Sequence, residues 1–153
     1  MRMILFSTLA VLTLFLVACS SLTLENVHYG WPVEEVATVS ETNRVVSDRH
    51  GLSFSIAKIA ENELQDSTAL RGKKVRILRS DEGYYFLTAQ GFKNVYVFSP
   101  ARQELSKEST IEVSQTGLHD PALNLRPPYV ELIDSDGLHR LLTRSDIVEG
   151  NSK

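Results

Sequence analysis

Leu70-Arg71-Gly72-Lys73-Lys74-Val75-Arg76-Ile77-Leu78 opens the stretch that decides the fold, and Tyr84-Tyr85-Phe86-Leu87-Thr88 and Val95-Tyr96-Val97-Phe98 complete it. Each run is short and rich in branched or aromatic residues, the composition that suits a pleated, half-buried strand. Between them stand Ser80-Asp81-Glu82-Gly83 and Gln90-Gly91-Phe92-Lys93-Asn94, turn-type clusters in which glycine supplies a positive φ without steric cost. Three strands on two short connections form an antiparallel meander. Pro100 is expected to stop the third strand, because proline has no N–H for the ladder.

Towards the N-terminus, Leu52, Phe54 and Ile56 alternate with Ser53, Ser55 and Ala57, a period of two that predicts another strand. The period then lengthens. Ile56, Ile59, Ala60 and Leu64 recur at helical spacing, with Lys58, Glu61, Asn62 and Glu63 on the other sides, so a helix of about two turns is expected between Ala57 and Gln65. Val33 to Val39 suggests an extended segment near residues 35–40, Ser40 to Asn43 a turn, and Val45-Val46 a strand returning on it. Tyr29-Gly30-Trp31-Pro32 marks the start of the ordered domain. Trp31 is expected in the core, a ligand-stacking platform being the alternative.

Towards the C-terminus, residues 101–107 read as a short helical or irregular link and Thr110 to Ser114 as a strand. Leu118 to Pro128 holds three prolines and is expected to be a loop. Its Arg126-Pro127-Pro128-Tyr129 reads as an extended connection, with partner binding as a polyproline segment the alternative. Tyr129 to Ile133 and Leu138 to Thr143 flank Asp134-Ser135-Asp136-Gly137, a hairpin signal. The expected fold is mainly β, a small antiparallel sheet with one short helix.

The pattern Leu70, Gly72, Lys73, Val75 and Ile77, then Gly83-Tyr84-Tyr85, then Gly91 and Val95-Tyr96-Val97, resembles the bacterial SH3-like barrels of cell-envelope proteins. The family's usual tryptophans are replaced by Tyr and Phe. The resemblance implies an SH3-like, partly open barrel as the form of the sheet. It also implies recognition of a peptide, a peptidoglycan element or an envelope protein, without catalysis. Tyr84, Tyr85, Phe86, Phe92, Tyr96 and Phe98 cannot all point inward on alternating strands. Tyr84, Tyr85, Phe92 and Tyr96 are therefore the candidate binding surface, and membership of the core is the competing expectation.

The first residues carry a separate signal. Arg2 precedes an apolar run from Ile4 to Val17, which ends in Leu16-Val17-Ala18-Cys19. A positive start, an apolar core and small residues before a cut describe a secretory signal, and Ser20, Ser21 and Glu25 arrive too soon for a membrane-spanning helix. The ending resembles the lipobox of bacterial lipoproteins. That resemblance implies cleavage before Cys19, acylation of its thiol and new amine, and a lipid bilayer as partner. Ser20 is not the aspartate that retains such proteins in an inner membrane, so the periplasmic face of the outer membrane is favoured in a two-membrane cell. The expected divisions are 1–18 signal peptide, 19–30 lipidated tether, 31–148 one β-rich domain and 149–153 a polar tail. Cys19 is the only cysteine, which leaves no intramolecular disulfide.

Loss of residues 1–18 removes one arginine and no acid, which takes the formal charge from −3 to −4. That mild acidity gives no electrostatic reason for a nucleic-acid partner. His28, His50, His119 and His139 lack metal-ligand spacing, no Gly-x-Ser-x-Gly turn is present, and Asp134-Ser135-Asp136-Gly137 lacks the remaining ligands of a calcium loop. The expectation is a non-catalytic envelope binding or assembly module with no metal and no cofactor. A small cell-wall-processing enzyme is the alternative, and it would need His, Asp or Ser groups converging in a pocket.

Overall fold

The computed structural model describes residues 34–101 and 104–148. The expected signal segment and tether, with Cys19, Trp31 and the expected tail at 149–153, lie outside the described residues. The chain is mainly β, with antiparallel sheets and one short helix among the described residues.

The expected meander is present as β4 (Lys74–Arg79), β5 (Tyr85–Ala89) and β6 (Asn94–Ala101). It is extended by β1 (Glu35–Thr38) beside β4 and by β7 (Glu104–Glu112) beside β6, giving a five-stranded sheet in the order β1-β4-β5-β6-β7. The sheet is open at β1 and β7 and forms no closed barrel. Its middle strand is buried at every residue. Tyr85, Leu87 and Ala89 enter one core and Phe86 the other, as alternation requires.

One face of this sheet is covered by α1 (Ala57–Leu64) and by the separate hairpin of β2 (Arg44–Ser47) and β3 (Leu52–Ser55), which contribute Val45, Ile56 and Ala60 to the first core. An isolated helix of eight residues is unstable in water, so packing of Ile56, Ile59, Ala60 and Leu64 on the sheet is what holds it. Gln65 ends the helix in the left-handed region at φ 59°. The other face is covered by a second, four-stranded sheet in the order β11-β10-β9-β8, made of β8 (Ala122–Arg126), β9 (Tyr129–Ile133), β10 (His139–Leu142) and β11 (Ile147–Val148). Leu123, Val130, Leu132 and Leu142 from that sheet meet Leu78, Phe86, Val95 and Val97. Each fully buried side chain of this size contributes about 1.5–3 kcal/mol.

Four expectations need correction. Pro100 does not stop β6: the pairing of β5 with β6 ends at Tyr85 and Phe98, so beyond Phe98 the strand bonds on one side only, where a proline nitrogen can face the open side. Residues 104–107, expected in an irregular link, form the start of β7, paired through Ser99–Ser106 and Pro100–Leu105 after a bulge at Val97/Phe98. Leu118 to Pro128 is not wholly loop, because β8 fits between Pro121 and Pro127 and pairs with β9; the Pro127–Pro128 peptide, which is cis, lies in the turn. Finally, β2 does not return on β1. Asn43, at φ 60°, turns the chain away, and β1 pairs instead with β4 in the register Glu35–Ile77.

Two polar ties join the layers. Glu34 accepts the backbone N–H of Leu123 at 2.7 Å and pairs with Arg76, which also reaches Asp120 at 3.1 Å. This fixes the second sheet against β4. Glu63, on the helix, accepts the backbone N–H of Lys93, the Asn94 amide and the Tyr96 hydroxyl, each at 2.7 Å. That carboxylate fastens α1 to the start of β6.

Candidate functional site

Of the aromatic residues expected to form a binding surface, three are buried. Phe92 is wholly enclosed and meets Tyr96 edge-on at 6.2 Å between centroids. Tyr96 is turned inward, and its hydroxyl ends on Glu63. Burial first, and then the Glu63 carboxylate, pushes its pKa well above the ordinary tyrosine value. Tyr85 is 7% exposed; its ring stands nearly perpendicular to that of His50, with centroids 5.4 Å apart, and the Arg79 guanidinium lies 5.7 Å from its centroid. Both faces of the meander are covered, which is why the aromatics do not form one exposed patch. The sequence shows that strands alternate, but it does not show that a second sheet will cap the second face.

Tyr84 is the member of that set with open surface. Its hydroxyl accepts a hydrogen bond from Arg144 Nη1 at 3.1 Å, and the same guanidinium lies 5.9 Å from its ring centroid. It borders a shallow groove of about 340 Å³, between the β4–β5 turn and the second sheet, with Glu82, Tyr129 and Ser145 among its lining.

The more apolar concavity lies elsewhere. Leu52 and Phe54 of β3, Ile59 of α1, Phe98 and Pro100 of β6, and Leu105 of β7 line a groove of about 470 Å³. Five of these six are half-buried hydrophobics packed on the first core. Ser53, Ser55 and Glu104 supply its polar rim. The site therefore combines an apolar floor with few polar groups, the usual constitution of a surface that accepts nonpolar side chains. Sequence reasoning placed Phe98 among the aromatics but missed the groove. Its other walls come from β3, α1 and the start of β7, segments far apart in the chain that only the tertiary fold brings together.

Two clusters resemble catalytic or metal-binding sets. Ser47, His50 and Glu35 are neighbours, but in the wrong order for a nucleophilic triad. Ser47 donates to Glu35 Oε2, and His50 Nε2 faces the same carboxylate at 3.9 Å, so the imidazole does not lie between serine and acid. His119, Asp134 and Asp136 place ligand-type atoms within 4.8 Å of one another. Asp134 is already engaged, accepting the backbone N–H groups of His119 at 2.9 Å, Asp120 at 2.6 Å and Ser135 at 3.0 Å. Burial alone would raise its pKa, but these donors outweigh burial and hold the carboxyl below its usual range. The arrangement accounts for Asp134 as the fastener of the 118–120 loop to the β9–β10 turn. Glu131 is similar. Burial opposes its ionisation, yet Asn124, Arg126 and His139 together depress its pKa.

No family model, curated protein or solved structure matches the chain.

Proposed function

We propose that the chain is a lipid-anchored protein of the bacterial envelope whose β domain is a non-catalytic binding or assembly module. The observation that carries the anchor is Leu16-Val17-Ala18-Cys19 at the end of an apolar run led by Arg2. Several acyl chains on Cys19 would hold the protein stably, since each buried methylene contributes about 0.8 kcal/mol and a single chain binds only marginally. With Ser20 after the cysteine, the periplasmic face of the outer membrane is the favoured location in a two-membrane cell.

The binding role is supported by the groove between β3, α1 and the β6–β7 hairpin. An apolar segment of another envelope protein suits its floor of Leu52, Phe54, Ile59, Phe98 and Leu105 better than a charged or heavily hydroxylated ligand does. Binding of peptidoglycan is the competing outcome. A photo-reactive amino acid placed at Leu105 in cells distinguishes them. A discrete cross-linked protein, lost on Phe98→Ser, supports the module. Cross-links to wall fragments alone would overturn the protein partner in favour of peptidoglycan, and hydrolysis of those fragments by the purified protein would overturn the module itself.

A further inference from the structure

We infer that neutral His50 seats the β2–β3 hairpin on the five-stranded sheet, and that its protonation on acidification releases that hairpin and widens the apolar groove which the hairpin walls. His50 stands in the turn between β2 and β3, and its side chain is only 12% exposed. Its ring packs edge-on against Tyr85 of the central strand. Its Nε2 is buried and finds no hydrogen-bond partner among the described residues. A neutral imidazole tolerates that position at modest cost, whereas an imidazolium there has one carboxylate near it, Glu35 at 3.9 Å, too far for a hydrogen bond to offset the burial of the charge.

The charged and polar groups around the ring come from every element packed on it. Glu35 of β1 lies 3.9 Å from Nε2 and, among the described residues, is the group that favours the proton, but its Oε2 is already taken by the Ser47 hydroxyl. Arg49 in the same turn and Arg79 of β4 disfavour it, and the Tyr85 ring of β5 stands nearly perpendicular to the imidazole. Burial is the largest influence and lowers the pKa of His50 below its ordinary 6.5; Glu35 pulls against it, and the two arginines reinforce it. A base whose folded pKa is depressed adds stability above the unfolded value and loses it as pH falls from 6.5 through the folded value. The hairpin is a separate two-stranded unit, so this loss is felt locally. Its β3 strand supplies Leu52 and Phe54 to the groove, so its departure opens that wall.

The test is amide hydrogen exchange on the full chain at pH 8 and pH 5, corrected for intrinsic rates, together with NMR titration of the four histidines. His50 should titrate below 6.5. Opening measured in the β2–β3 ladder, through Val45 and Phe54, should rise several-fold at pH 5 relative to Phe86 in β5. The ceiling is about 30-fold, reached if the seated imidazole stays neutral at pH 5. His50→Gln should abolish the pH dependence. If that variant does not fold, Glu35→Gln serves, since removing the favourable Glu35 charge should lower the His50 pKa further and enlarge the effect. Titration of His50 at or above 6.5, a change under about twofold, the same change in His50→Gln, or a higher His50 pKa in Glu35→Gln would each overturn the inference.

Discussion

Replacing Glu63 by alanine removes the acceptor of three hydrogen bonds at once, all at 2.7 Å. Bonds to a charged acceptor contribute about 1.5–3 kcal/mol each, but the three are not equivalent. The Lys93 N–H is near solvent and the Asn94 amide is half-buried, so water replaces the carboxylate there at small cost. The Tyr96 hydroxyl is buried and would be left unsatisfied. Together these give a loss of about 3 kcal/mol, which lowers the midpoint of thermal unfolding by about 10 °C for a chain of this size. Circular dichroism on heating and in urea measures both. Tyr96→Phe alone should cost about 1 kcal/mol, and combined with Glu63→Ala it should recover part of the loss, because the orphaned hydroxyl has gone. A Glu63→Ala cost below about 1 kcal/mol, or single costs that simply add, would refute the assignment of Glu63 as the tie between helix and sheet.

Three further outcomes are expected. In a spectrophotometric titration one tyrosine should resist ionisation well past pH 10 until the chain unfolds, and Tyr96→Phe should remove that resistant step; since the folded pKa is raised, the corresponding stability is present below 10 and lost above it. Asp134→Asn should cost about 1–3 kcal/mol at neutral pH and less in acid, because a depressed carboxyl pKa gives stability that is lost as pH falls below 3.8 through the folded value; urea unfolding at a series of pH values reads this out. Gly117→Ala should cost about 2–4 kcal/mol, since the glycine sits at φ +99° and a Cβ there would stand 2.8 Å from the Gly91 carbonyl oxygen; Gly72→Ala, at φ +69° with open space around it, should cost only about 1–2 kcal/mol in the same urea assay.

The elements legible in the sequence are those whose side chains announce their own environment. Leu52-Ser53-Phe54-Ser55 alternates because one side faces the core, and Ile56, Ile59, Ala60 and Leu64 recur at helical spacing because one stripe packs on the sheet. The two strands around Asp134 to Gly137 were equally plain. The missed strands are the ones whose pairing is decided elsewhere. The first half of β7, with Glu104, Ser106, Lys107 and Glu108, is polar because it is an edge facing solvent, and charge there is what protects an edge from stray pairing. Prolines bracket β8 without interrupting it. For the candidate site, the crowding of aromatics between Tyr84 and Phe98 is plain in the sequence, but Tyr85, Phe92 and Tyr96 are buried, and which aromatics stay exposed depends partly on a second sheet that begins only at Ala122. Glu63 looked like a solvated helix position. Only the tertiary fold shows three donors converging on it.

The proposed anchor is tested most directly by the mass of the N-terminal peptide of the protein recovered from cell membranes. The expected product is a chain that begins at Cys19 and carries acyl groups on its thiol and amine, with Cys19→Ala released from the membrane or left uncut. Recovery of an unmodified Cys19 in a membrane-bound chain, or a fully processed Cys19→Ala protein that stays with the membrane, would contradict it.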